Sequence, residues 1–191
     1  MPYQQVPSFI HALRETDASE SIRLAFELTI LCLTRTIETL QATWAEIDLE
    51  AKTWTIPGVR MKAGREHRIP LSPRCVEILE RAKALSGEGL YVFPGRKDKR
   101  PLSNMAFLMT VRRMKRSGFT PHGFRSSFRN WAAERTNFPR AVCEAALAHT
   151  LPDKTEAAYN RTDLFDRRYD LMASWSKFST SKPADVVVIR A

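Results

Sequence analysis

The sequence predicts a mixed α/β fold, mainly α, with a small antiparallel β-sheet packed among helices. Three observations predict it. Apolar residues recur at helical spacing before residue 45 and again after residue 72, while between them lie two short β-branched and aromatic stretches, residues 53–56 and 68–71. Pro57-Gly58 and Ala63-Gly64 separate those stretches as a hairpin loop would. A length of 191 residues, 43% of them hydrophobic, suits one domain with a sizeable core.

Taken in order, residues 6–13 and 19–33 read as helices, with Asp17 and Ser19 available to cap the second. Ile22, Ala25, Phe26, Thr29, Ile30 and Leu33 form its expected buried stripe. Glu38, Leu40 and Gln41 imply a shorter helix over 37–44, and the chain changes character at Ile47. The hairpin loop PGVRMKAGRE then presents Arg60, Lys62 and Arg65. Ser72-Pro73 opens a helix reaching about Leu85, and residues 90–93 predict a third short strand.

The run GRKDKRP from Gly95 is a basic exposed loop. A helix over 103–116 follows it and ends in the cluster Arg112, Arg113, Lys115 and Arg116. Such a cluster is either a solvated face or a set of phosphate contacts. Beyond the stretch HGFRSSFRN, Pro139 and Pro152 open two more helices, and a last helix over 163–178 carries the stripe Leu164, Leu171, Trp175 and Phe178. The tail SKPADVVVIRA is polar at first and then β-prone, and with nothing left in the chain to follow it, it can add to an exposed sheet edge, in its own or a neighbouring subunit. There are no internal repeats and no low-complexity segment.

Lys and Arg number 30 against 21 acidic residues, a net charge of +9, so a polyanion is the first partner to consider. Cys32, Cys75 and Cys143 are odd in number, far apart and set in apolar helical patterns, as expected of buried thiols in a reducing compartment. No C-x-x-C occurs, and His11, His67, His122 and His149 lack ligand spacing, so neither a metal nor a cofactor is expected. No apolar run reaches membrane-spanning length and the N-terminus lacks the order of a signal peptide. These features predict a cytoplasmic protein without a membrane partner.

In HGFRSSFRN, Thr120 suits an N-cap and Pro121 the first helical position, which puts His122 in the first turn. At 100° per residue His122, Arg125 and Arg129 share one narrow arc, opposite Phe124, Phe128 and Trp131. The cationic arc beside free N–H groups suits an anion, with phosphate the natural one. A merely solvated basic face is the plain alternative for an isolated H-x-x-R.

Five scattered elements then fall in order. LTRTIETLQATW supplies Arg35 and Glu38; RMKAGREHRIPL supplies Lys62; HGFR supplies His122 and Arg125; LAH supplies His149; and EAAYNR supplies Tyr159 ten residues later. Each is weak alone, and together they are specific. Over residues 2–178 the chain resembles the catalytic domain of the tyrosine recombinase, or phage integrase, family, and it is most similar to integrases of prophages and genomic islands. Those typically read WxEIDL, TWTIP, RMK and HRVPLS, where this chain has WAEIDLEAKTWTIPGVRMKAGREHRIPLS. It departs from the family's usual pattern at Cys32, often Thr, and at Ile37, often a small residue.

The resemblance implies a catalytic domain over residues 1–180 and a C-terminal tail over 181–191, without the N-terminal core-binding domain of full integrases. It implies metal- and ATP-independent recombination of double-stranded DNA attachment sites, with other protomers as partners in a synaptic complex. Arg35 and Arg125 would clamp the phosphodiester, since a planar, always-charged guanidinium suits the charge that grows on its non-bridging oxygens. Tyr159 would be the nucleophile, forming a 3′-phosphotyrosine bond, and His122 with the arginines would activate a phenol whose ordinary pKa is about 10.

Lys62 would protonate the leaving 5′-oxygen, with Arg60 and Arg65 competing for that reach. His149 would hydrogen-bond the phosphate, or simply cap its helix. Glu38 would orient an arginine or His122, unless it is an ordinary surface carboxylate. Arg60, Arg65, Arg112, Arg113, Lys115, Arg116 and Arg129 are expected DNA contacts. A DNA-binding module without chemistry and a type IB topoisomerase are the rival readings.

Overall fold

The computed structural model describes residues 1–95, 100–116, 118–149 and 163–182. Helix α2 (Glu20–Cys32) is the axis around which the others pack: α1 (Val6–Arg14), α3 (Thr36–Leu40), α4 (Pro73–Ser86), α5 (Ala106–Arg113) and α8 (Phe165–Ser179) all lie against it, α8 being the last described helix. Because it is enclosed on every side, its residues from Leu24 to Cys32 are all buried, and the single stripe expected from the sequence becomes a whole circumference. Even Glu27 is only 1% exposed. Burial works to raise its carboxyl, but hydrogen bonds from Arg14 (Nε, 3.0 Å) and Arg74 (Nε, 2.8 Å) outweigh that and hold it below its ordinary range.

The sheet is antiparallel with order β1-β2-β3: β1 (Ile47–Asp48), β2 (Thr53–Ile56) and β3 (His67–Pro70). Its register sets Trp54 opposite Ile69 and Ile47, and Ile56 opposite His67. Trp54 and Ile56 alternate into the core while Thr53 and Thr55 stay half exposed, the period-two pattern of a one-sided strand. The third strand is therefore β1, and not residues 90–93. That segment is buried at Val92 and Phe93, but its pairing is the isolated bridge Tyr91 to Thr43, because the facing chain turns at once into the tight turn Trp44–Glu46.

Three helix boundaries also differ from expectation. Helix α3 ends at Leu40. Helix α5 begins at Ala106, after a turn in which Ser103 accepts from the Ala106 N–H, and it ends at Arg113, just before Lys115 takes a left-handed φ of 55°. Helix α6 (Gly123–Arg135) begins after His122, with the Thr120 hydroxyl accepting from Gly123 N at 3.2 Å, so His122 occupies the capping position rather than the first turn.

The apolar face read from HGFRSSFRN packs as expected. Phe124 meets Phe9 and Phe26, and Phe128 and Trp131 meet Trp175 of α8. Trp175 also donates to Ile30 O at 2.9 Å, fixing α8 against α2. Cys32, Cys75 and Cys143 are all buried and free. The helix expected at Pro152 and the β-prone tail lie outside the described residues.

Candidate active site

Arg125 is the organising residue. The sequence placed it on a solvent-facing arc, yet it is only 5% exposed, because acceptors from two distant segments converge on it. Its Nη1 donates to Leu33 O at the end of α2, and Nη2 donates to Leu147 O at 2.5 Å, at the end of α7 (Arg140–Ala146). Nη2 also lies 3.1 Å from His149 Nε2. Burial, followed by the nearby charge of Arg35, pulls its pKa down to about 10, which leaves it charged at neutral pH.

Arg35 precedes α3 as its capping residue, and Glu38 sits three residues on, where a carboxylate can reach back to the cap. Glu38 accepts from Arg35 N at 2.6 Å and from Arg35 Nη1 at 2.7 Å. At 3% exposure it is no surface carboxylate; its partner in the structure is Arg35 rather than His122. Arg35 keeps a quarter of its side chain exposed, so its outer donors remain open to solvent.

His149 is held from both sides. Glu144 Oε2 lies 2.7 Å from Nδ1, and Glu144 Oε1 takes Arg129 Nη2 at 3.0 Å. A carboxylate can only accept, so Nδ1 carries the proton and Nε2 presents its lone pair to Arg125, which leaves this ring no second N–H for the phosphate contact expected from the sequence. The His149 N–H also bonds Glu144 O at 3.0 Å, so the helix-capping reading holds for the backbone as well. Glu144 is a site residue that the sequence reading missed. It stands five residues from His149, across a helix end, where no helical spacing rule would pair them.

The hairpin loop brings Lys62 and Arg65 to the same place. Arg35, Lys62, Ala63, Arg65, Arg129, Arg140, Glu144, Ala148 and His149 line one cleft of about 620 Å³. Arg140 is a second cleft residue that the sequence marks only as part of the helix after Pro139. Arg60 is not in the cleft: its guanidinium is engaged by Glu46 and by Glu38 O at 2.6 Å.

The remaining candidates lie apart. His122 is exposed beside Thr36, Ile37 and Pro121 in a smaller pocket of about 420 Å³. Partial burial, then the charges of Arg125, Arg35 and His149, lower its pKa, so it remains under the field of the cleft. Arg112 and Arg113 end α5, and Lys115 and Arg116 follow it, all outside the cleft, Arg113 lining a separate cavity with Asp17 and Met109. Tyr159 lies outside the described residues. The chain after it is tied down at Asp163, which accepts from Arg68 Nε at 2.8 Å and Nη2 at 2.9 Å.

The cleft thus gathers five cationic side chains and a histidine around one carboxylate, on walls formed by separate elements. Such a donor set binds a phosphodiester in preference to a neutral ligand, since each guanidinium can offer paired N–H groups to non-bridging oxygens.

Residues 1–164 match the model of the phage integrase family. Over 187 residues the chain is 35% identical to prophage integrase IntA of Escherichia coli K12, a match that covers 97% of this chain and 45% of that relative. The chain spans less than half the length of this relative. Among solved structures it resembles an integrase from mycobacterium phage Brujita, with a TM-score of 0.65 at 22% identity over 91% of this chain and 57% of the other. It also resembles a λ integrase dimer bound to a COC′ core site, with a TM-score of 0.58 at 22% identity over 84% of this chain and 58% of the other. At such identities the structural likeness concerns the fold, and it is the family match across most of the sequence that shows the chain to be a member of the phage integrase family.

Proposed function

We propose that this chain is the catalytic domain of a site-specific DNA recombinase that cleaves and rejoins attachment sites of a mobile element through a 3′-phosphotyrosine bond at Tyr159. The observation that carries the reading is the convergence of Arg35, Lys62, Arg129 and His149 on one cleft, with buried Arg125 in contact with His149 behind it. The prophage integrase relatives, and a neighbour of known structure that is a dimer on a DNA core site, support DNA and further protomers as partners.

In this mechanism the cleft holds the scissile phosphodiester, with Arg35 and Arg125 stabilising charge on its non-bridging oxygens. The Tyr159 phenol gives up its proton to His122 or solvent, and its oxygen attacks phosphorus. The bond to the 5′-oxygen breaks, and that oxygen takes a proton from Lys62. In the sequence Tyr159 stands ten residues after His149 and four before Asp163. The phosphotyrosine bond conserves the energy of the phosphodiester, and attack by a new 5′-hydroxyl reverses each step. Glu144 keeps the His149 proton on Nδ1, and Glu38 keeps Arg35 in place.

The test is trapping on nicked duplexes drawn from candidate attachment sequences. A covalent protein–DNA band on a denaturing gel is expected with the wild type, and none with Tyr159→Phe, which should still bind DNA almost normally. Equal loss of binding and adduct in Tyr159→Phe would instead make the tyrosine structural. Salt-sensitive binding without any adduct would favour a DNA-binding module, and relaxation of supercoils without strand exchange would favour a topoisomerase.

A further inference from the structure

We propose that Arg60 is a positioning residue for Lys62, an internal strut that fixes the hairpin loop so that the lysine stands in the cleft beside Arg35. The inference rests on the reading of Lys62 as general acid. By composition Arg60, Lys62 and Arg65 look interchangeable, three cations on one loop. The structure separates them. Lys62 and Arg65 line the cleft, whereas the Arg60 side chain is 18% exposed and faces an 8% exposed carboxylate, Glu46.

Glu46 is itself fixed. It accepts from the indole of fully buried Trp54 at 3.0 Å and from the Thr43 hydroxyl at 3.2 Å, so it is tied to the middle strand and to the chain just after α3. The other end of the Arg60 guanidinium donates to the carbonyl of Glu38, the residue whose carboxylate holds Arg35. One planar group therefore ties the sheet, the loop and the mount of Arg35 together.

The loop backbone is built to pass this restraint on. Arg60 N bonds Pro57 O at 2.9 Å and Met61 N bonds Gly58 O at 3.0 Å, closing a tight turn over Gly58–Arg60. Gly58 is needed there, because a Cβ would lie 2.7 Å from Gly64 O. Met61 is buried, so exposed Lys62 follows two consecutive anchored residues. A lysine on a loose loop must lose backbone freedom as well as its own rotamers before it reaches one oxygen; fixing its Cα removes the backbone part of that search. Arg60, its charge matched by Glu46, adds little to DNA attraction.

The experiment measures cleavage by wild type, Lys62→Ala, Arg60→Gln and Glu46→Gln on two suicide duplexes, one ordinary and one with a 5′-bridging phosphorothiolate, whose leaving group needs no proton. Arg60→Gln should cleave the ordinary duplex on the order of tenfold more slowly, a part of the effect of losing a general acid, and should recover on the phosphorothiolate as Lys62→Ala does. Its DNA affinity should be nearly unchanged. Glu46→Gln can keep its carbonyl oxygen as the acceptor for Trp54, while the Thr43 hydroxyl accepts from the new NH2 and Arg60 loses its partner; it should give the same pattern, which covers the case of Arg60→Gln failing to fold. Arg60→Gln combined with Lys62→Ala should be no slower than Lys62→Ala alone. Equal slowing of Arg60→Gln on both substrates, or wild-type rates on both, overturns the strut while Lys62→Ala is still rescued. Failure of Lys62→Ala itself to recover overturns the general-acid reading beneath it.

Discussion

Replacing Arg125 by lysine separates charge from geometry. The lysine keeps the positive charge, but an ammonium is a point donor, whereas the guanidinium reaches Leu33 O with one nitrogen and Leu147 O with the other. Both acceptors belong to buried residues, so at least one carbonyl is left without a partner, at a cost of about 1–3 kcal/mol. In a domain of this size each kcal/mol moves the melting temperature by about 2–4 °C, giving an expected fall of about 2–12 °C. Calorimetry reads that fall directly. Adduct formation is then measured well below the lower melting temperature, where both proteins are folded, and Arg125→Lys should form little or none. An unchanged melting temperature would refute the anchoring argument, and near-normal adduct formation in folded Arg125→Lys would refute the clamp.

Other expected outcomes test separate parts of the site. Glu144→Gln offers an amide that can turn its NH2 toward Nδ1 and favour the wrong His149 tautomer; adduct formation should fall on the order of tenfold or more, and nitrogen NMR of the wild type should show the proton on Nδ1. Arg140→Ala should flatten the dependence of log affinity on log salt by about 0.9, the share of one phosphate contact, and an unchanged slope would remove Arg140 from the interface.

His67 is held down at about 3 from its ordinary 6.5, by burial first and then by the charges of Arg168, Arg125 and Arg35. Between those values the unfolded chain binds the proton and the folded chain does not. Stability should therefore be full above pH 6.5 and decline as pH falls through that window, by up to about 1.4 kcal/mol per unit. His67→Gln should flatten the decline; a slope identical to wild type would assign it to other groups.

Local chemistry was legible where it was local. The Phe124, Phe128 and Trp131 face, the hairpin around Pro57-Gly58 and the stripe of α8 follow from period and turn residues alone. Arg125 shows where that stops: its place on the helix wheel was right, but the carbonyls that bury it come from residues 92 and 22 positions away. Arg60 fails in the same way, since a loop's charge density carries no mark of Glu46 fourteen residues earlier. Strand β1 has two residues and no periodicity to read, while Tyr91 to Phe93 have strand-like side chains but face a turn instead of a strand. Glu38 was nearer to legible, because a glutamate three residues after a helix cap has a known use.

The two acceptors of Arg125 have one further property in common. Leu33 and Leu147 are the C-terminal caps of α2 and α7, and the chain takes left-handed φ values of 59° at Leu33 and 49° at Ala148. For residues other than glycine that conformation costs about 1–2 kcal/mol each, and it curls both helix ends inward. The negative poles of two helix dipoles thus point at one guanidinium, each worth a fraction of a charge. Buried arginines are commonly neutralised by a carboxylate, which would compete with a phosphate for the same donors. Here the directly bonded main-chain acceptors are helix ends, which steady the arginine without setting a carboxylate on its nitrogens.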